Sequence, residues 1–553
     1  GSEMCIRDRY NTVMKPEIAI ALSGGGYRAA LFHLGTLSYL QHLKLENGDT
    51  FLGNINTIST ISGGTITGLW YMLQYANDNV REFSFWEFYD KLCNNDIITP
   101  SIKNLLSTNS QSLIKEMIKS YDRVFFENVH FDIIQNIIDS GHIHHFSANG
   151  TDFSNGYAFR FQASRKIVNA DPQYNRGIIG NNEHRIPWSI AGKIKLSEIL
   201  AASSCFPGGF EPLYFPTDFE LMTNVDIQDY TKAFTTEIPL MDGGIVDNQG
   251  IEPILLANTQ MQYDDKRANG NRNFPCHDLI IVSDVSYPKT KSTDNKKIVM
   301  NGKFNLNKLD YIIAFIFLLS IIVILFAYYY SYDRIFGFFL CIAIIMFFFR
   351  VASFVLKNLL VKYLKKAPIR IDINMVWKYS IANIISLLLN RERSLIHLLK
   401  VIFMKPIRQM RYKALYEDEK WKNRRITNTI YELTANYGSW KNKLNKGRIP
   451  EWLVPTEEMQ KISKIATEMD TTLWFTADDK LNETPEALFA CGQYNICMNL
   501  LEYINKLKTD MTNTTAAHKY IMQFENQLMD DWRKFKDNPK WLVKYLRESN
   551  IKD

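Results

Sequence analysis

Cysteine is scarce in this 553-residue chain and badly arranged for structural use. The seven cysteines (Cys5, Cys93, Cys205, Cys276, Cys341, Cys491 and Cys497) are odd in number and scattered, without a Cys-x-x-Cys pair. That excludes a disulfide framework and a zinc knuckle, and it fits a reduced, cytoplasm-facing catalytic portion. Glycine and proline, 27 and 17 residues, are too few for a collagenous or low-complexity chain, and 46% hydrophobic residues exclude disorder. Histidine clusters once, as His142, His144 and His145 in GHIHHF. No carboxylate or second histidine pair stands nearby at ligand spacing, so a solvated loop is expected there and no metal site. An apolar signal segment is also missing before the first strand-like run, and residues 1–14 are expected to be a non-native or disordered leader.

Long apolar runs are present, although the mean hydropathy is slightly negative. Tyr311 to Tyr330 is a stretch of 20 residues without a charge, long enough as a helix to cross a hydrocarbon core of about 30 Å. Ile335 to Leu356 offers a second span, interrupted only by Arg350, which lies near its end and can snorkel to the headgroups. Tyr328, Tyr329, Tyr330 and Tyr332 gather between the two, as an interfacial aromatic belt would. A pair of buried core helices is the competing reading, but two adjacent stretches apolar on every side are hard to bury in one domain. A transmembrane hairpin is therefore expected within residues 309–356, meeting the bilayer through 311–356. With no internal charge, two spans offer no ion path, which argues against a pore.

Charge is distributed unevenly around these spans. Lys289, Lys291, Lys296, Lys297, Lys303 and Lys308 precede them, and residues 350–425 hold 18 Lys+Arg against five Asp+Glu, in a chain whose total is only +6. The positive-inside rule then places both flanks in the cytoplasm, making this an integral membrane protein with two spans and a cytoplasmic catalytic domain. Residues 357–455, including Met375 to Met404, read as a basic amphipathic helical region on the membrane surface. Nucleic acid is the weaker explanation for that charge and is not expected as a partner.

Three short motifs carry chemistry. In Glu17–Arg28 (EIAIALSGGGYR) an apolar run ends in three glycines before a helical pattern, a strand–turn–helix unit whose backbone N–H groups form an anion nest. That nest suits either a dinucleotide, through Gly24-x-Gly26-x-x-Ala29, or an oxyanion. In Asn56–Thr65 (NTISTISGGT) a β-branched run leads into Ser62 and two glycines, a corner that lifts a hydroxyl out at a helix N-terminus. The first glycine of the usual G-x-S-x-G elbow is replaced by Thr60. In Pro239–Asn248 (PLMDGGIVDN) Asp242 precedes two glycines, which in isolation is a common turn.

Taken in order, and with Ala201–Pro212 (AASSCFPGGFEP) between the last two, these blocks resemble the patatin-like phospholipase family. The resemblance covers about Glu17 to Tyr287 and resumes near Thr471 to Ile504. It implies a three-layer α/β/α hydrolase domain with a mainly parallel central sheet, motifs at strand C-terminal ends, and the hairpin as an insertion. The expected organisation is a catalytic core over 15–290, a return to it over 456–505, and C-terminal helices over 506–553 to which no role is assigned. The resemblance further implies a Ser62–Asp242 dyad acting through an acyl-enzyme, an oxyanion hole at Gly24, Gly25 and Gly26, and substrate contacts at Arg28 and Gly63. Arg28 would orient the oxyanion loop or meet a phosphate headgroup. Neither cofactor, metal nor calcium is implied, and no histidine completes the site. His33 is expected to be a packing residue and Asp247 a turn cap. Membrane phospholipids and lysophospholipids are the expected substrates. The alternative is a catalytically silent or signal-triggered membrane-anchored interaction protein on the same fold. No oligomeric state follows from the sequence.

Overall fold

The computed structural model describes residues 15–76, 83–108, 110–165, 177–220, 237–267, 277–286, 299–300, 302, 304–366, 378, 380–397, 404–509 and 516–550. The leader 1–14, five of the lysines ahead of the first span (Lys289, Lys291, Lys296, Lys297 and Lys303), residues 367–377 and residues 398–403 lie outside them. The chain divides into two compact units, one formed by residues 1–290 with 403–553 and the other by 291–402.

The larger unit is built on a ten-stranded sheet: β1 (Ile18–Leu22), β2 (Ile55–Ile61), β3 (His145–Asp152), β4 (Tyr157–Ser164), β5 (Ile179–Gly180), β6 (Arg185–Ile186), β7 (Leu213–Phe215), β8 (Ile238–Asp242), β9 (Leu279–Asp284) and β10 (Arg425–Thr429). The spatial order is β10-β9-β1-β2-β3-β4-β5-β6, with β8 bridging β3 and β7. β10, β9, β1, β2 and β3 run parallel, whereas β4 and β8 are antiparallel to β3. Every residue of β1, β2 and β9 is buried, as expected of parallel strands covered on both faces. In β1, Ile18, Ile20 and Leu22 enter one core and Ala19 and Ala21 the other. The first core takes in helices α1 (Gly26–His42), α2 (Gly63–Leu73) and α3 (Leu196–Ser204); the second takes in Ile251 and Ile254 of α4 (Ile251–Arg267) with Leu415 and Trp421. The fold is thus α/β with a central sheet between two helical layers, the class the motifs imply.

A later segment closes over α1. Helix α5 (Thr484–Thr509) crosses it backbone against backbone: a Cβ on Gly35 would lie 2.0 Å from the Phe489 carbonyl oxygen, and one on Gly492 would lie 2.1 Å from that of Phe32. Only glycine permits such an approach, since no Cβ tolerates a neighbour at that distance. α5 continues to Thr509, past the expected boundary at 505, and among the described residues three helices follow it (Ala516–Met522, Glu525–Asp537 and Trp541–Asn550).

The expected loop at GHIHHF is corrected. His145 opens β3 and is buried, His142 packs its ring 5.0 Å from that of Tyr75, and His144 Nδ1 lies 3.3 Å from the Glu17 carboxylate. The run lacks the apolar alternation of a strand, but β3 lies inside the sheet between β2 and β4, and that position overrides local propensity.

In the smaller unit, Leu306–Tyr329 and Asp333–Leu359 are long and apolar enough to cross a membrane. The first begins five residues before the apolar run, where Asn305 accepts from Lys308 N as N-cap. Ser331, at φ 55°, makes the turn between the two helices. Phe315, Leu318, Phe338, Phe348 and Phe354 are exposed. At the open end, Ser353 Oγ donates to Asp310 Oδ1 at 2.6 Å and Arg350 Nη1 to the Asp310 carbonyl at 3.4 Å. Ile381–His397 forms the single helix described within Met375 to Met404; a further helix, Met404–Tyr416, belongs to the larger unit.

Candidate active site

Ser62 sits between the end of β2 and the start of α2 at φ 49°, a left-handed conformation that a non-glycine residue rarely adopts. The turn is crowded enough to demand its glycines. A Cβ on Gly63 would lie 2.1 Å from the Gly26 carbonyl oxygen, and one on Gly64 would lie 2.3 Å from that of Leu22. The missing first glycine is compensated from α2: a Cβ on Gly68 would come within 2.3 Å of the Thr60 methyl, so the helix leaves the room that Thr60 fills.

Sheet register brings the aspartate to this corner. One edge of β3 is bonded to β2 up to the pair Ile61↔Asn149, and from the next position, Gly150↔Asp242, to β8. The opposite edge of β3 is filled by β4 along its whole length. The C-terminal ends of β2 and β8 therefore meet head-on, one ladder step of about 3.3 Å apart. Asp242 caps the following turn, Gly244 N donating to its Oδ1 at 2.6 Å, and its own N–H donates to the Cys205 carbonyl at 2.9 Å. Ser62 and Asp242 are only 9% and 8% exposed. Burial, aided by the negative charge of Asp242, pushes up the Cys205 thiol and the Tyr121 hydroxyl beside it.

The oxyanion loop lies alongside because β1 pairs in parallel with β2, Leu22 opposite Thr60. Gly25 and Gly26 have φ 153° and 60°. The Gly24 N–H is already used, donating to the Asn248 carbonyl at 3.0 Å, which leaves Gly25 and Gly26 as the candidates of the expected set. Arg28 Nη1 donates to the Met469 carbonyl at 2.7 Å, and Tyr27 N to that of Thr472 at 2.8 Å. The strap 469–472 thus holds the first turn of α1 from outside, with the Arg28 head engaged on backbone. His33 does more than pack: its Nε2 donates to the Ser23 carbonyl at 2.9 Å and its Nδ1 accepts from Ser283 Oγ at 2.8 Å, tying β1 to β9. Burial lowers its pKa to about 4, so it is neutral. The buried Asp247 carboxylate accepts from Gln249 N, Gly250 N and Glu252 N at 3.2, 3.0 and 2.8 Å, capping the start of α4.

Two contributors escaped the sequence reading. Ser203, inside the quoted Ala201–Pro212 block, accepts from Ser62 N at 2.9 Å and donates to the Asn149 carbonyl at 2.7 Å, bracing the elbow against β3. Asn248, the last residue of the quoted Pro239–Asn248 motif, reaches both motifs. A Cβ on Gly24 would lie 2.9 Å from Asn248 Oδ1 and 3.2 Å from Ser62 Cβ; one on Gly244 would lie 2.6 Å from Asn248 Oδ1 and 2.9 Å from Asp242 Oδ1. Its Nδ2 donates to Ser286 Oγ at 3.3 Å. Nothing local distinguishes either residue from an ordinary helix or loop polar group.

Residues 20–255 match the family described as patatin-like phospholipase. Among solved structures, human GIVD cytosolic phospholipase A2 is similar at 12% identity and a TM-score of 0.28, over 50% of this chain and 46% of that one. The same human enzyme in complex with methyl gamma-linolenyl fluorophosphonate is similar at 15% identity and a TM-score of 0.26, over 50% and 42%. This chain thus spans under half the length of these structures. No curated protein matches it.

Proposed function

We propose, since residues 20–255 match the patatin-like phospholipase family, that this protein is a membrane-anchored lipid acyl hydrolase acting through a Ser62–Asp242 dyad. One observation carries the reading: β2 and β8 end on consecutive ladder positions of the same edge of β3, which brings the ends that carry Ser62 and Asp242 together.

In the proposed cycle Asp242 takes the Ser62 proton as the Ser62 oxygen attacks an ester carbonyl. The Gly25 and Gly26 N–H groups hold the oxyanion, at about 3 to 4 kcal/mol for each donor. The alcohol leaves with that proton, and water activated by the same carboxylate releases the fatty acid. No calcium, metal or cofactor enters these steps. Gly63 allows the elbow to touch the oxyanion loop, and Arg28 fixes the loop through Met469 rather than reaching a headgroup. The helices Leu306–Tyr329 and Asp333–Leu359 are assigned to the bilayer and the flanking basic residues to its cytoplasmic face, which makes phospholipids and lysophospholipids the substrates at hand.

The near-complete burial of Ser62 and Asp242 favours one further reading on the same residues, an enzyme held closed until it meets a signal or a lipid surface. Fatty-acid release from mixed phospholipid vesicles containing EDTA tests the whole proposal. The parent is expected to release fatty acid and Ser62→Ala none. Equal background release, with Ser62 also unlabelled by a fluorophosphonate, would remove the hydrolase reading.

A further inference from the structure

The third polar group at the Ser62–Asp242 junction is Asn248, and its side chain faces that junction in a defined orientation. The Nδ2 amide is turned away, donating to Ser286 Oγ at 3.3 Å. The carbonyl oxygen Oδ1 is therefore the atom presented to the site. Two glycines keep the space before it open: a Cβ on Gly24 would sit 2.9 Å from Oδ1, and one on Gly244 would sit 2.6 Å from it. The Gly24 position is the one that borders Ser62 Cβ at 3.2 Å, and the Gly244 position the one that borders Asp242 Oδ1 at 2.9 Å. Asn248 Oδ1 thus lies beside both residues, next to the Gly24 position that borders Ser62 and the Gly244 position that borders Asp242. Asn248 as a residue is 8% exposed.

We propose that Asn248 Oδ1 is the second acceptor for the water that hydrolyses the acyl-enzyme, orienting it for Asp242. This rests on the Ser62–Asp242 reading. One O–H of the water donates to the Asp242 carboxylate and the other to Asn248 Oδ1, which leaves an oxygen lone pair directed at the acyl carbonyl on Ser62. As the C–O bond forms, the proton passes to Asp242 and the carbonyl electron pair moves onto the oxyanion. On collapse the bond to Ser62 Oγ breaks, Oγ recovers the proton from Asp242, and the fatty acid departs. In acylation the Ser62 hydroxyl has a single proton to give, and it goes to Asp242, so Asn248 serves deacylation selectively. Its main-chain carbonyl separately holds Gly24 N–H at 3.0 Å, a bond that truncation of the side chain leaves in place.

Rapid-mixing kinetics with a p-nitrophenyl acyl ester on the full-length protein separate the two steps. For Asn248→Ala the p-nitrophenol burst keeps its rate, while steady-state turnover slows about tenfold, the loss of one orienting hydrogen bond. Acylated Ser62 then accumulates by intact mass, and fluorophosphonate labelling proceeds at the parent rate. Asn248→Ser, which retains a hydroxyl acceptor and guards against a folding failure of the alanine variant, recovers part of the steady-state rate. Burst and steady state falling together, or both unchanged, would overturn the proposal. A folded parent that neither turns over ester nor labels at Ser62 would instead remove the dyad reading itself, so the two failures are distinguishable.

Discussion

Ser62 holds a φ of 49°, and the neighbours that enforce it are specific. Ser203 accepts its N–H, while Gly63 and Gly64 admit backbone oxygens of Gly26 and Leu22 where any Cβ would collide. Gly63→Ala is therefore expected to cost about 3 kcal/mol of stability and to abolish fluorophosphonate labelling, measured by urea unfolding alongside probe incorporation. Asp242→Asn is the opposite case. It preserves the acceptor for Gly244 N, leaves the unfolding midpoint near the parent's, and lowers ester turnover by about a thousandfold, within the range of general acid–base catalysis. The candidate residues legible in the sequence, Ser62, Asp242 and the three loop glycines, are those whose local spacing suggests their chemistry, although Gly24 spends its N–H on Asn248. Ser203 and Asn248 were hidden because a hydroxyl in a helix and an amide in a loop acquire a role only from what lies across from them.

Elements decide how the motifs are joined. The α1–α5 crossing through Gly35 and Gly492 binds residues more than 450 positions apart, and the strap preceding α5 supplies the Met469 and Thr472 carbonyls that hold Arg28 and Tyr27. Gly492→Leu is expected to separate the helices, lowering stability by about 3 kcal/mol and weakening esterase activity through the displaced oxyanion loop, a paired loss visible in urea titrations and activity assays. The parallel order of β1 and β2 was readable from two strand–turn–helix motifs with small residues at the turns. The strand at His145 was not, because its burial comes from β2 and β4 on either side and not from its own pattern.

At the scale of the whole molecule, two properties are set by groups far from the site. The apolar helices Leu306–Tyr329 and Asp333–Leu359 predict that the full chain stays in the membrane pellet after alkaline carbonate washing. A variant lacking 306–359 is expected in the supernatant, and recovery of both forms in the pellet would count against the anchor. Three buried histidines, His33, His145 and His277, and the partly buried His142 are expected to weaken the fold in acid. Burial lowers His33, His142 and His277 to about 4 and His145 to about 3. Each is neutral in the fold and takes up a proton on unfolding near its ordinary value of about 6.5. Their stabilisation is thus complete above about pH 6.5 and is lost progressively as pH falls towards 4. The unfolding midpoint should drop steeply over that window, and His277→Gln, where it folds, should flatten the drop.

The amino-acid sequence by itself determined the fold class, the order of the chemical motifs and the apolar hairpin. Each depends on residue type and spacing within a short window, where glycine, β-branched residues and uninterrupted apolar runs have strong local meaning. The tertiary structure alone decided that β2 and β8 meet on one edge of β3 and that Gly24 N–H is already satisfied. It also decided that Arg28 is anchored to Met469, that Asp247 caps α4 and that Asn248 Oδ1 lies beside the Gly24 and Gly244 positions that border Ser62 and Asp242. These are pairings across tens to hundreds of residues. Register and packing select them from many partners of equal chemistry, and no local pattern encodes that choice.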